Sequence, residues 1–158
     1  MNVGSWMLWG FVATVALTAA QVATQELRLT RVNIPFMLGS IFTPERSRAK
    51  ALGTLLHLVN GWIFSLVYVA AFQAWGKAGA WRGMLIGLVH ATFVLVAGLP
   101  ALPGIHPRMA HESWGPTARR QLEPPGYLGL HYGAFTPLTV LAAHLLFGAI
   151  LGAFYRVR

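Results

Sequence analysis

Four separated stretches of about 20 apolar residues constrain this chain more than any other feature, because a helix needs about that length to cross the hydrocarbon of a bilayer. They run over residues 5–23, 52–72, 81–102 and 138–155. The chain is 56% hydrophobic and only 10% charged, whereas soluble domains carry about a quarter charged residues. Aspartate is absent, and the four acids, Glu26, Glu45, Glu112 and Glu123, all fall outside the apolar stretches. We therefore expect an all-α polytopic membrane protein. It would be one four-helix domain over residues 1–158, with a proline-rich extramembrane loop at 103–137. The first stretch has no basic residue ahead of it, so it reads as a retained helix and not a cleaved signal peptide.

The connections carry the charge. Of the twelve lysines and arginines, eight lie in the two long loops (24–51 and 103–137), and four, Lys77, Arg82, Arg156 and Arg158, lie on the opposite side. With four spans both termini fall on one side, and the positive-inside rule places the long loops in the cytoplasm. The net charge of +8 flanks apolar spans, so it suits anionic lipid headgroups and not nucleic acid. The absence of cysteine excludes disulfides, thiolate metal ligands and cysteine nucleophiles.

Small residues at four-residue spacing let membrane helices approach closely. Each span has such a stripe: Gly10, Thr14 and Thr18 in the first, Gly53, His57 and Gly61 in the second, Gly83, Gly87 and Ala91 in the third, and His144, Gly148 and Gly152 in the fourth. The second and fourth stripes also suggest a repeat. His57-x-x-x-Gly61 is followed by Tyr68, and His144-x-x-x-Gly148 by Tyr155 at the same distance. Each copy follows a Phe-Thr-Pro triplet, 42–44 and 135–137, with Leu38-Gly39 or Leu128-Gly129 ahead of it. Two related helical hairpins would put His57 and His144 at equal depth, about 7 Å inside the long-loop boundary at 1.5 Å per residue. His90 falls near mid-membrane.

Ionisable groups inside a membrane are functional candidates by default. His57, His144 and His90 are accordingly candidate cofactor ligands, for a haem or a metal, or members of a proton relay. The plainer alternative is that each histidine donates to a neighbouring carbonyl and fixes helix register. Gly61 and Gly148 favour close helices, which weighs against a haem between them. In the third loop, His106, His111 and Glu112 are metal-ligating types, but their spacing matches no ligand motif. Arg108, Arg119, Arg120 and Trp114 suit contact with lipid headgroups or a partner. No span contains an acid to act as a general base with a histidine, no serine sits in a nucleophile elbow, and no phosphate-binding loop is present, so we expect no enzyme.

The sequences His57-x-x-x-Gly61-Trp62 with Tyr68, Arg82-Gly83-x-x-x-Gly87-Leu88-Val89-His90, and His144-Leu145-x-x-Gly148-Ala149-x-Leu151-Gly152-x-x-Tyr155 resemble a family of uncharacterised bacterial four-helix membrane proteins. The resemblance covers chiefly the last three spans and the region of Leu38-Gly39. The segment with Gly115-Pro116-Thr117 and Glu123-Pro124-Pro125-Gly126 departs from it. The resemblance implies the fold, the histidine positions and a bacterial inner membrane, and it implies no chemistry. The leading expectation is a small non-enzymatic subunit that stabilises or assembles a membrane complex or a homo-oligomer. The alternatives are a haem- or metal-binding electron-transfer protein and a small transporter or proton pathway.

Overall fold

The computed structural model describes residues 1–157. Among these, four helices are long and apolar enough to cross a membrane: α1 (Val3–Glu26), α3 (Arg46–Ala74), α4 (Ala80–Ile105) and α5 (Thr136–Phe154). A short helix, α2 (Ile34–Ser40), lies between α1 and α3. No β-strand occurs among the described residues. The architecture is the expected all-α four-helix membrane protein, with each span extended by up to two turns beyond its apolar stretch.

The helix starts are written in the sequence. The Asn2 side chain accepts from Ser5 N–H at α1, and Asn33 accepts from Phe36 N–H at α2, with Pro35 in its first turn. The Glu45 carboxylate accepts from the N–H groups of Ser47 and Arg48 at α3. Each cap satisfies orphan donors of the first turn. A bond from the Ser47 hydroxyl, together with these two, holds the Glu45 carboxyl below its ordinary pKa. Within α4, residues Val94–Gly98 form a π-helical turn in which Leu99 N–H bonds the Val94 carbonyl five residues back. Pro100 follows at once. A proline ring collides with the carbonyl four residues earlier, and the widened turn moves that carbonyl aside.

The glycine stripes decide the packing. A methyl group on Gly83 would overlap the Gly148 carbonyl oxygen, and one on Gly148 would overlap that of Gly83. Thus α4 and α5 touch backbone to backbone, antiparallel. Helix α1 lies against both α5 and α3, while α3 and α4 barely touch. One stripe member behaves otherwise than expected: Gly53 packs against Pro35 and Gly39 of α2, not against another span. The apolar pattern predicts a connecting loop over 24–51. Residues 34–40 are instead a helix laid back along the cap end of α3. Seven residues give too short a periodic signal to register, and only the close approach of Gly39 to Ala49 and Gly53 fixes the helix in place.

The two long loops meet as one cap. Arg31 forms a two-pronged ion pair with Glu123 at 2.7 and 3.0 Å, which raises the arginine pKa further. The Thr30 and Thr136 hydroxyls are 2.7 Å apart, and Val32, Met37, Met109 and Tyr132 form a small buried core beneath. The loop expected over 103–137 is shorter than anticipated, because α4 continues through Pro103 to Ile105 and a 3-10 turn covers Tyr127–Tyr132. At the other end of the bundle, Asn2 N–H bonds the Tyr155 hydroxyl and Arg156 N–H bonds the Ser5 hydroxyl, so the first and last helices meet there.

Candidate functional site: a three-histidine cavity inside the bundle

Because α4 is drawn onto α5, α3 onto α1, and α1 in turn onto α5, α3 and α4 stand apart and leave a gap of about 210 Å³. His57, His90 and His144 all line it, together with Gln21 of α1 and Ile34 of α2. The three intramembrane histidines picked from sequence are therefore brought to one place, and the π-helical turn supplies part of the wall through Val94. Such turns occur frequently at functional sites.

Each histidine is held differently. The His144 Nδ1 lies 2.8 Å from the Val140 carbonyl oxygen one turn earlier. A carbonyl can only accept, so Nδ1 carries the proton and Nε2 is left as an acceptor. The His90 Nδ1 lies 3.1 Å from the Tyr68 hydroxyl. Tyr68 is in the core and has no other hydrogen-bond partner among the described residues, so its hydroxyl donates and His90 keeps its proton on Nε2. The His90 ring stands edge-on to His144, with centroids 4.7 Å apart, and stacks on Phe64 at 5.0 Å. His57 is half-buried, and its Nε2 is a buried polar atom without a hydrogen-bond partner.

Gln21 is not pointed to by the four-residue spacing of α1. It is 6% exposed, and its Oε1 is likewise buried and unpartnered. Counting every fourth residue from Gly10 leads to Thr18, whereas the buried face runs Gly10, Ala13, Thr14, Leu17, Gln21. That face repeats about every 3.5 residues, as in a coiled seam, and a 3.5-residue count would have found it. A third unpartnered atom, Trp62 Nε1, belongs to a ring stacked on Trp6 and does not line the cavity.

Asn60, Phe64 and Phe93 line the cavity and are themselves exposed, so it reaches the lipid-facing surface between α3 and α4. Among the described residues, no acidic or basic side chain other than the histidines lines it. Its volume lies below the roughly 300–1,000 Å³ of ordinary ligand pockets. A tetrapyrrole between His57 and His144 therefore requires α3 and α5 to move apart.

The cap residues singled out from sequence divide in two. Arg108 faces inward, where its guanidinium donates to the Ser40 and Ile41 carbonyls at the end of α2. Arg120 reaches the Pro103 carbonyl. Arg119 is exposed, and Trp114 is 83% exposed and stacks on His111 at 4.2 Å. His106 is buried. Its Nδ1 accepts from Arg108 N–H at 3.1 Å, so Nε2 carries the proton and donates to the Met37 carbonyl at 3.0 Å. Both ring nitrogens are thereby used in holding α2 to the cap. The Tyr132 hydroxyl donates to the Glu123 carbonyl, and burial pushes its pKa up. No known family model matches the chain, and no curated protein or solved structure is detectably similar to it.

Proposed function

We propose that this chain is a non-enzymatic, multi-pass component of a bacterial cytoplasmic membrane that holds a small molecule inside its helix bundle, at the cavity of His57, His90 and His144. One observation carries the reading: the Gln21 and His57 side chains line the same cavity, and each has a buried polar atom without a partner, Oε1 and Nε2, among the described residues. A buried polar atom left unpaired costs about 1–3 kcal/mol, and nearly all such atoms in proteins find a partner. A bound guest that supplies the missing hydrogen bonds accounts for both at once. The test is native mass spectrometry of the protein carried in lipid nanodiscs. We expect a retained small mass that disappears in a folded Gln21→Leu/His57→Leu variant. A bare polypeptide mass for the unaltered protein overturns the reading.

The accessory role rests on the cap, where Trp114 and Tyr127 are 83% and 68% exposed. Under this reading the cap faces the cytoplasm, both termini face the opposite side, and the aromatic residues meet a second subunit. Cysteine replaces Trp114 against a background with no native cysteine, and labelling with a membrane-impermeant thiol reagent from each side tests the orientation. The mass of the solubilised assembly, compared with that of Trp114→Ala, tests the subunit contact.

A further inference from the structure

The chemistry of the cavity narrows what it takes. With no formal charge in its wall apart from the titratable histidines, the site suits a neutral molecule in a region where an unpaired charge is costly. The polar atoms with fixed roles are two acceptors and one donor, the donor being the His90 Nε2–H, whose Nδ1 is taken by Tyr68. Gln21 presents Oε1. His144 presents a bare Nε2, because its Nδ1 proton is committed to Val140. His57 Nε2 either donates or accepts, according to its tautomer. Two acceptors beside one donor call for a guest group that donates and also accepts, and among neutral lipid-soluble groups that is a hydroxyl.

The rest of the wall sets the shape. Phe64, Phe93 and Phe147 present aromatic surface, and aromatic rings favour the faces and edges of another ring. About 210 Å³ is room for one ring. The opening between α3 and α4 gives an apolar tail a way out into the bilayer without crossing the cap.

Resting on the reading above that the cavity holds a guest, we infer that the guest is a lipid-soluble aromatic alcohol. Its phenol or quinol ring would lie among the phenylalanines, its hydroxyl would donate to Gln21 and accept from His90 Nε2–H, and its tail would leave between α3 and α4. The inference concerns binding alone.

The experiment uses the full chain in lipid nanodiscs and two probes, 4-nonylphenol and 4-nonylanisole, which differ only in the O–H replaced by O–CH3. We expect the phenol to bind at least tenfold more tightly. We expect Gln21→Leu, checked for an unreduced melting temperature, to remove that preference while leaving the anisole affinity in place. Should the variant not fold, the ratio of the two probes on the unaltered protein decides alone. Equal affinities, or no binding of either probe, overturn the aromatic alcohol. If native mass spectrometry still shows a retained molecule in that case, the guest reading stands and only its class falls. If it shows bare polypeptide, both fall.

Discussion

Helices α3 and α5 carry the same His-x-x-x-Gly pattern and end in different surroundings. Of the 19 residues of α5, nine are buried, whereas α3 buries six of 29, so α5 is the inner helix and α3 an outer one. Gly148 meets backbone, the Gly83 carbonyl, while Gly61 meets a side chain, Thr14. His144 has a hydrogen bond within its own helix, and His57 Nε2 has none. The comparison teaches that a shared spacing fixes which face a residue takes and leaves open what that face meets. The looser of the two helices is the one that leaves a gap, and the cavity lies beside it.

The largest effect that would break this contrast is at the glycines. We expect Gly148→Val to abolish folded protein on size-exclusion chromatography in detergent, since two backbones must separate to admit the side chain. Gly61→Ala should leave a folded protein destabilised by about 1–3 kcal/mol, the usual cost of overpacking, because the Thr14 side chain can turn away. Equal outcomes would mean that α5 is not the tightly held helix.

The histidines sharpen the contrast through its sign. In the guest-free protein, His57→Leu removes an unpaired buried atom and should raise stability by about 1–3 kcal/mol. His144→Leu removes a made hydrogen bond and should lower it by about 0.5–1.5 kcal/mol. Thermal unfolding in one detergent reads both, and two shifts of the same sign defeat the assignment of partners.

The cap joins the segments that lead into the two helices, and a smaller effect is expected there. Arg31 and Glu123 are 65% and 45% exposed at the side chain, so solvent screens the pair and Arg31→Ala should cost about 0–1 kcal/mol. The loss should show as faster proteolysis of the cap, with the spans unchanged.

The smallest effect is a pH dependence confined to α3. Its N-cap is the Glu45 carboxylate, whereas α5 has no side-chain cap. The Glu45 pKa is lowered in the fold from the ordinary 4.5. Its contribution is therefore complete above that ordinary value and is lost as the pH falls through the depressed one. Below pH 4.5 we expect the Ser47 and Arg48 amide signals to shift by NMR while Thr139 at the start of α5 stays fixed. A shift at Thr139 in step with Ser47 would show the two helix starts to be coupled through the cap.

Much of the frame was legible before any coordinates. The apolar runs named four spans, and the small-residue stripes named Gly83, Gly87, Gly148 and Gly152 as contact points, which they are. The histidines were picked because an imidazole in an apolar run is costly unless it is used. What escaped has physical reasons. Helix α2 is too short for its periodicity to stand out, and Pro35 gives it the look of a turn. Gln21 sits near the end of α1, where a polar residue reads as the edge of the membrane. His106 and Arg108 looked like surface ligands because nothing local showed the α2 carbonyls they reach, more than 60 residues away in the chain.

The sequence by itself determined the medium, the number of spans and the face of each helix. Hydropathy and helical period are local properties, and a bilayer leaves few other solutions for such a chain. The tertiary structure alone decided which spans pair, because that depends on which glycine meets which carbonyl. Once α4 lies on α5, α3 on α1 and α1 on α5, α3 and α4 are left apart and the gap follows. So does the meeting of three histidines and a glutamine from four different helices at one cavity.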